Sequence, residues 1–312
     1  MDWIAHDRVR PVQTVCEGIM LEYLKKFNRL HGKVLGINQR NLDYIYPNNP
    51  REHFKLADDK SETKKILEEH DIPTPPTYAL IQSMGELQEQ WQAAAKQKAV
   101  AIKPAMGRGG GGILILEKNN DGLWQKPSGK PVPEEHIQRH IANILFGVYS
   151  FGSNDKAIIE YMVVNHPLLA RISSGGVPDL RVITYKNKNI MSMLRVPTKK
   201  SDGRANLHQG ALGIAVDLES GTIGEGTLKG TIYREHPDSC TQFYGETVPF
   251  WNDIMSITTH VSEVFPFKYM GTDIVLDRDL GPLVMEINLR PGLEIQNVNR
   301  QGLLEILKEE DR

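Results

Sequence analysis

The chain has 312 residues, 40% hydrophobic and 24% charged, with a formal net charge of −2; this gives ample core for one large domain or two to three subdomains and leaves no global nucleic-acid footprint. Any anionic ligand must therefore be held locally. Cys16 and Cys240 lack CxxC or Cys/His spacing, the opening MDWIAHDRVRPVQ has no apolar signal core, and no run reaches the length of a membrane span; these features argue against a disulfide framework, a zinc site and a spanning segment, and for a cytoplasmic protein.

Taken in chain order, residues 12–31 place Val15, Ile19, Leu21, Leu24, Phe27 and Leu30 near the period of an amphipathic helix, with Gly32 as its stop. Tyr44 and Tyr46 follow in a mixed stretch and read as packing. Asp58 or Asp59 can cap a helix running to about Glu69. Lys60 then falls in the first turn, where the helix dipole disfavours a cation, so it is either an ordinary surface lysine or one that faces an anion. A second helix is predicted over 84–97, and AVAIKP, residues 99–104, reads as a buried strand closing on Lys103. Burying an ammonium without a partner is costly. Directly after it come Gly107, Arg108, Gly109, Gly110, Gly111 and Gly112, then a strand over 113–116. Such a run is a flexible loop or a backbone cradle for phosphate, and it matches neither a P-loop nor a Rossmann turn.

A helix over 134–147 leads to a strand over about 157–164, which carries Glu160, Tyr161 and Met162. Two strands are predicted around 186–189. Their Asp179, Arg181 and Arg195 are polar residues that core packing does not explain: edge charges, or forked contacts to phosphate or carboxylate. GRANLHQG supplies Arg204 and Asn206, and His208 reads as structural. Helices are expected over 246–265 and 300–309.

Between those helices, residues 270–292 read as a β-hairpin with a charged turn. Pairing outward from Arg278 and Gly281 sets Asp273 opposite Glu286, and period-two alternation puts Asn288 on their face, with Ile274, Leu276, Met285 and Ile287 on the other. Two facing carboxylates repel, so something positive should lie between them. Oxygen donors without Cys or His suit Mg²⁺ or Mn²⁺ shared with substrate phosphates; the alternative is a pair of solvated hairpin acids.

With these residues in this order, the chain resembles the ATP-grasp superfamily. GRANLHQG and GTDIVLDRDLGPLVMEINLRPGLE are similar to stretches of the RimK-like α-L-glutamate ligases, and GINQRNLDYIYPNNPREHFKLADDK is similar to a sugar-transfer-associated subgroup. The resemblance implies an α+β ATP-grasp fold in which two α/β subdomains, 58–162 and 163–312, clasp ATP after a short, mainly helical region, 1–57. It implies that Lys60, Lys103 and the loop 107–112 hold the ATP phosphates, that Glu160, Tyr161 and Met162 meet adenine, and that Asp179 lies near the ribose. Arg181, Arg195, Arg204 and Asn206 would surround the transferring phosphoryl group. Asp273, Glu286 and Asn288 would hold two Mg²⁺ ions, with Mn²⁺ as a substitute. Arg290 departs from the family pattern, standing in the Asn-x-x-Pro-Gly turn where small residues are common, and reads as a contact for a substrate carboxylate.

The implied activity is that of an ATP-dependent carboxylate–amine ligase working through an acyl phosphate. It would join an amino acid such as glutamate to a peptide-like or small-molecule carboxylate acceptor, or decorate a cell-surface sugar precursor. A nucleotide-binding regulator is a further reading, which the full set of acids and arginines at the γ end argues against. The sequence has neither the His-Arg-Asp loop nor the Asp-Phe-Gly motif of a protein kinase, and no basic stripe for nucleic acid.

Overall fold

The computed structural model describes residues 32–107 and 109–312, and the helix expected over 12–31 lies outside the described residues. Two antiparallel sheets form the frame. The smaller runs β1 (Thr77–Ile81), β5 (Ala157–Glu160), β2 (Ala99–Pro104), β3 (Leu114–Lys118) and β4 (Trp124–Gln125) in spatial order. Helix α3 (Leu87–Ala94) and helix α4 (Glu134–Leu145) cover one face, because α4 presents Ile137, Ile141, Ile144 and Leu145 on one stripe, which meets Val100, Ile102 and Ile159 of the strands.

The larger sheet has seven strands in the order β10 (Thr231–Tyr233), β9 (Ile223–Leu228), β8 (Leu212–Val216), β7 (Lys188–Val196), β6 (Asp179–Tyr185), β11 (Tyr269–Asp277) and β12 (Gly281–Asn288). Alternation along β6 sends Leu180 and Val182 to one face, where helix α5 (Pro167–Arg171) and helix α6 (Trp251–Val264) pack, and Arg181 and Ile183 to the other. On that second face the end near Ile183 is covered by α7 (Glu294–Asn299), α8 (Leu303–Glu310) and the segment bearing Leu35, Tyr44 and Ile45. The end near Arg181 carries charge instead of apolar cover. Residues 33–58 are short helical turns closing with α1 (Lys55–Asp58), and Asp59 caps α2 (Lys60–Glu69) by accepting from the Ser61 amide at 2.9 Å. Asn49 pairs with the Tyr269 backbone in both directions, so the early segment belongs physically to the larger sheet.

Several boundaries differ from expectation. The strand predicted to 164 ends at Glu160, because Tyr161 donates from its amide to Pro76 and the Val164 amide turns to the Asp277 carboxylate. Helices predicted over 84–97, 246–265 and 300–309 occupy Leu87–Ala94, Trp251–Val264 and Leu303–Glu310, and the strand expected over 113–116 is Leu114–Lys118.

Candidate active site

The β11–β12 hairpin places Asp273 opposite Glu286, but by a route that alternation did not foresee. The tip pairs Asp277 with Gly281, a register that would set Asp273 against Met285; a bulge inserts Met285 and restores Asp273 to Glu286. Met285 is thereby half-exposed and absent from the core that takes Ile274, Leu276 and Ile287, contrary to its expected place.

Positive charge does sit against these acids. Arg181 grips Asp273 with both arms of its fork, Nε to Oδ1 at 2.6 Å and Nη2 to Oδ2 at 2.5 Å. Arg195 grips Asp179 the same way, at 2.5 and 2.7 Å, and its Nη2 also reaches Asp273 Oδ2 at 2.8 Å. Strand register produces this cluster directly, since Asp179 pairs with Arg195 across β6–β7 and Arg181 with Asp273 across β6–β11. Burial alone would raise Asp273, but Arg181 and Arg195 outweigh it and hold the carboxyl below its ordinary value. Asp179 must share Arg195 with that charge: burial pushes it up to about 6 against the pull of Arg195, and Asp273 adds to the rise. Asn288 joins both acids, its Nδ2 lying 3.1 Å from Asp273 and 3.3 Å from Glu286.

The smaller sheet contributes a second charged group. Glu160 is fully buried between two ammonium groups, Lys103 and Lys64, each at 2.6 Å. Burial would raise the Glu160 carboxyl, and the two lysines reverse this and hold it low; burial in turn lowers Lys64. Lys64 was not foreseen, although it lies four residues after Lys60 and so on the same face of α2. The expected adenine contact at Glu160 is thus a carboxylate with both oxygens engaged, and Lys103 faces it directly. Tyr161 and Met162 are half-buried just beyond.

The glycine loop is pinned at both ends. Met106 donates its amide to Asp155 at 3.0 Å, and Lys60 Nζ donates to the Gly107 carbonyl at 2.7 Å. A Cβ on Gly107 would lie 2.3 Å from Pro104 Cγ, and one on Gly112 2.6 Å from the Tyr149 ring, so neither position has room for a side chain. His140 Nε2 donates to the Gly112 carbonyl at 2.8 Å, which leaves Nδ1 to accept from Tyr149. Burial lowers the His140 pKa, in keeping with that neutral tautomer. Gly109, Gly110 and Gly111 are exposed between these pins, and Arg108 lies outside the described residues.

The two sheets meet at this loop. Lys60 Nζ lies 3.6 Å from Glu286 Oε2, so the first-turn cation does face an anion. Cβ atoms built on Gly109 and Gly110 would come to 3.9 Å from Asn206 Nδ2 and Arg204 Cδ. Arg204 is exposed and donates to Gln209 at 3.4 Å, apart from the Arg181–Arg195 cluster, while Asn206 accepts the His208 amide at 3.0 Å and caps a short 3₁₀ turn. Arg290 is also apart, lying over the Phe54 ring at 5.3 Å. Among the described residues no group of three or more His, Cys, Asp or Glu side chains is arranged to hold a metal. Two carboxylates and an amide nevertheless fit a hard cation. Glu286, half-exposed and opposed only loosely by Lys60, is the open donor beside Asn288, whereas Asp273 is already engaged by two guanidiniums.

A family model described as sugar-transfer associated ATP-grasp matches residues 39–312. The chain belongs to this ATP-grasp family. Its α+β build of two antiparallel sheets is the ATP-grasp fold. The biotin carboxylase domain of the Hydrogenobacter thermophilus 2-oxoglutarate carboxylase, in complex with MgADP, ADP and bicarbonate, is similar at a TM-score of 0.50 and 16% identity, over 82% of this chain and 45% of that one. The ATP-grasp ligase PsnB complexed with a minimal precursor aligns at a TM-score of 0.47 and 14% identity, over 84% and 62% of the two chains. In sequence the chain is 23% identical over 234 residues to tubulin monoglutamylase TTLL4 of Mus musculus, which covers 70% of this chain and 18% of that protein. The chain therefore spans under a fifth of that relative. Among the described residues no helix is long and apolar enough to cross a membrane.

Proposed function

We infer that this protein is an ATP-dependent carboxylate–amine ligase whose two halves, 58–162 and 163–312, close on the nucleotide. One observation supports the reading: Lys60 of helix α2 and the glycine loop beside β2 come against Glu286 of β12 and against Asn206 and Arg204, with Lys103 at the end of the strand that leads into the loop. A free carboxylate resists amine attack because oxide is a poor leaving group. Attack of its oxygen on the γ-phosphorus of ATP releases ADP and gives an acyl phosphate, and attack of the amine nitrogen on the acyl carbon then expels phosphate and forms the amide. Lys60 and Lys103 supply positive charge on the phosphate side, and Lys103 exchanges Glu160 for phosphate when the nucleotide enters. Lys64 stays behind to neutralise Glu160. Arg204, which has no carboxylate partner among the described residues, is free to meet charge developing under the loop. The closed glycine loop excludes water that would hydrolyse the acyl phosphate. Magnesium held by Glu286 and Asn288, with Asp273 behind them, would neutralise the β- and γ-phosphates.

The likeness to a tubulin monoglutamylase supports glutamate as the amino acid. The family description, sugar-transfer associated, favours a second acceptor class, a cell-surface sugar precursor bearing a carboxylate. The experiment is phosphate release from ATP and Mg²⁺ screened against the twenty amino acids singly and in pairs, with product masses read in parallel. Amino-acid-dependent release with a condensation mass is the expected result. Nucleotide turnover that no amino acid or carboxylated sugar alters, with no new mass, overturns the reading.

A further inference from the structure

The turn that follows Asn288 carries charges that the nucleotide site does not use. Arg40 is buried, yet its guanidinium bonds only neutral acceptors: Nη1 to the Pro291 carbonyl at 2.7 Å, and Nε and Nη2 to Asn41 Oδ1 at 3.2 and 3.0 Å. A buried guanidinium with no carboxylate partner among the described residues is costly. Burial lowers the Arg40 pKa; Tyr269 and Glu294 offset part of this, and the positive charge of Arg290 adds to it. Arg290 itself has no carboxylate partner among the described residues and is held over Phe54. The Tyr269 hydroxyl, within electrostatic reach of Arg40, is fully buried and makes no hydrogen bond. A buried cation near an unsatisfied hydroxyl, with a second, exposed cation on the same turn, favours an anion.

The same turn holds one acid. Glu294 folds back onto Gly292, where an added Cβ would lie 2.8 Å from Oε2, and its Oε1 is 3.4 Å from the exposed His208. Its charge also acts on Arg40, although no direct ion pair forms between them. Around one Pro–Gly turn, then, stand two guanidiniums without a counter-ion and one half-exposed carboxylate. That arrangement matches a zwitterion: carboxylate toward the arginines, ammonium toward the acid.

We propose that Arg40, Arg290 and Glu294 form the subsite for the amine-donating substrate, and that this substrate is a free α-amino acid. The proposal rests on the ligase reading and adds a binding site to it. Glu294 takes the ammonium and the arginines take the α-carboxylate, on the turn that follows Asn288 of β12. The ammonium gives a proton to the Glu294 carboxylate before the nitrogen attacks. Arg40 also positions the turn through the Pro291 carbonyl.

The test uses the full chain with Mg²⁺ and a non-hydrolysable ATP analogue. Calorimetry first finds which of the twenty amino acids binds at millimolar concentration, then compares it with its N-acetyl derivative and its decarboxylated amine. Each charge-assisted contact removed should weaken binding about tenfold or more. N-acetylation is expected to weaken binding to the parent protein but not further in Glu294→Gln, and decarboxylation to weaken it in the parent but not further in Arg290→Ala. Arg40→Lys, which keeps a charge in the buried site, should lose amino-acid affinity while retaining nucleotide affinity. Equal losses in parent and variants, or no amino acid bound while the nucleotide binds normally, overturn the subsite and leave the ligase reading standing. Failure of the nucleotide itself to bind strikes at the ligase reading instead.

Discussion

Asp273 and Glu286 face each other across one hairpin, yet replacing them should have different consequences. Asp273→Asn removes the charge that both Arg181 and Arg195 use, and its side chain is only 3% exposed. Arg195 keeps Asp179, but Arg181 loses its carboxylate partner, and stranding a buried guanidinium in this way costs about 3–5 kcal/mol. Glu286 is 35% exposed and meets Lys60 at 3.6 Å, so Glu286→Gln should cost about 1 kcal/mol or less. With a denaturant slope of about 3 kcal/mol per molar urea, Asp273→Asn lowers the unfolding midpoint by roughly 1 M or more, whereas Glu286→Gln barely moves it. Urea titration followed by circular dichroism reads both, and a turnover assay in native buffer should show activity lost in each. An Asp273→Asn midpoint equal to that of the parent would refute the argument that Arg181 depends on this carboxylate.

Three other perturbations follow from the same geometry. Lys64→Met leaves Glu160 with Lys103 alone, so nucleotide affinity should fall about tenfold and recover in part with Lys64→Arg, as calorimetry would register; unchanged affinity would remove Lys64 from the site. Gly112→Ala puts a methyl group against the Tyr149 ring at a φ of +77°, a strain of about 1–3 kcal/mol, and should raise hydrogen exchange in the loop and the KM for ATP. Exchange identical to the parent would show that Gly112 does not pin the loop. Glu160 has a folded pKa below its unfolded value, so its stabilising contribution is present above about pH 4 and is lost as pH falls through the lower folded value. Urea midpoints should therefore drop on acidification below about pH 4, with a shallower drop in Glu160→Gln; parallel profiles would discount the lysine pairing.

The large-sheet half of the site was legible because strand alternation is a strict rule. Once Asp179, Arg181 and Arg195 were placed on paired strands, period two put them on one face, and an unexplained charge on a buried face points to a partner. The hairpin pairing of Asp273 with Glu286 was read correctly from a turn that is in fact one residue different, the Met285 bulge making up the offset. No local pattern distinguishes a bulged methionine from a regular one. Lys64 and Arg40 were missed for another reason. Each sits among polar residues in a helical segment, and its burial depends on what docks against it: β5 for Lys64, and the Pro291 turn for Arg40. The i, i+4 spacing of Lys60 and Lys64 was the available signal. His140 and Tyr149 gave none, since their role comes from the approach of Gly112 to the ring.

The division of charge between the sheets bears on how the site works. On the larger sheet the arginines and acids are locked to one another by paired forks, so that surface keeps its shape before any ligand enters. The smaller sheet holds Lys103 against a buried carboxylate that has a second cation in Lys64, so Lys103 can leave without stranding Glu160. Lys60 is shared between the loop carbonyl of Gly107 and Glu286 of the opposite sheet. Behind it, Asp277 accepts the Val164 amide at 2.7 Å and the Tyr161 hydroxyl at 3.4 Å, joining the tip of the hairpin to the segment after Glu160. The larger sheet therefore presents a finished surface, while helix α2 and the residues just after it are anchored in its apolar core through Leu67 and Ile72, and the glycine loop itself reaches across by a few polar contacts. At 3.6 Å the Lys60–Glu286 contact is the longest of these polar links, so on the proposed reading it is the one a phosphate group would replace on entering.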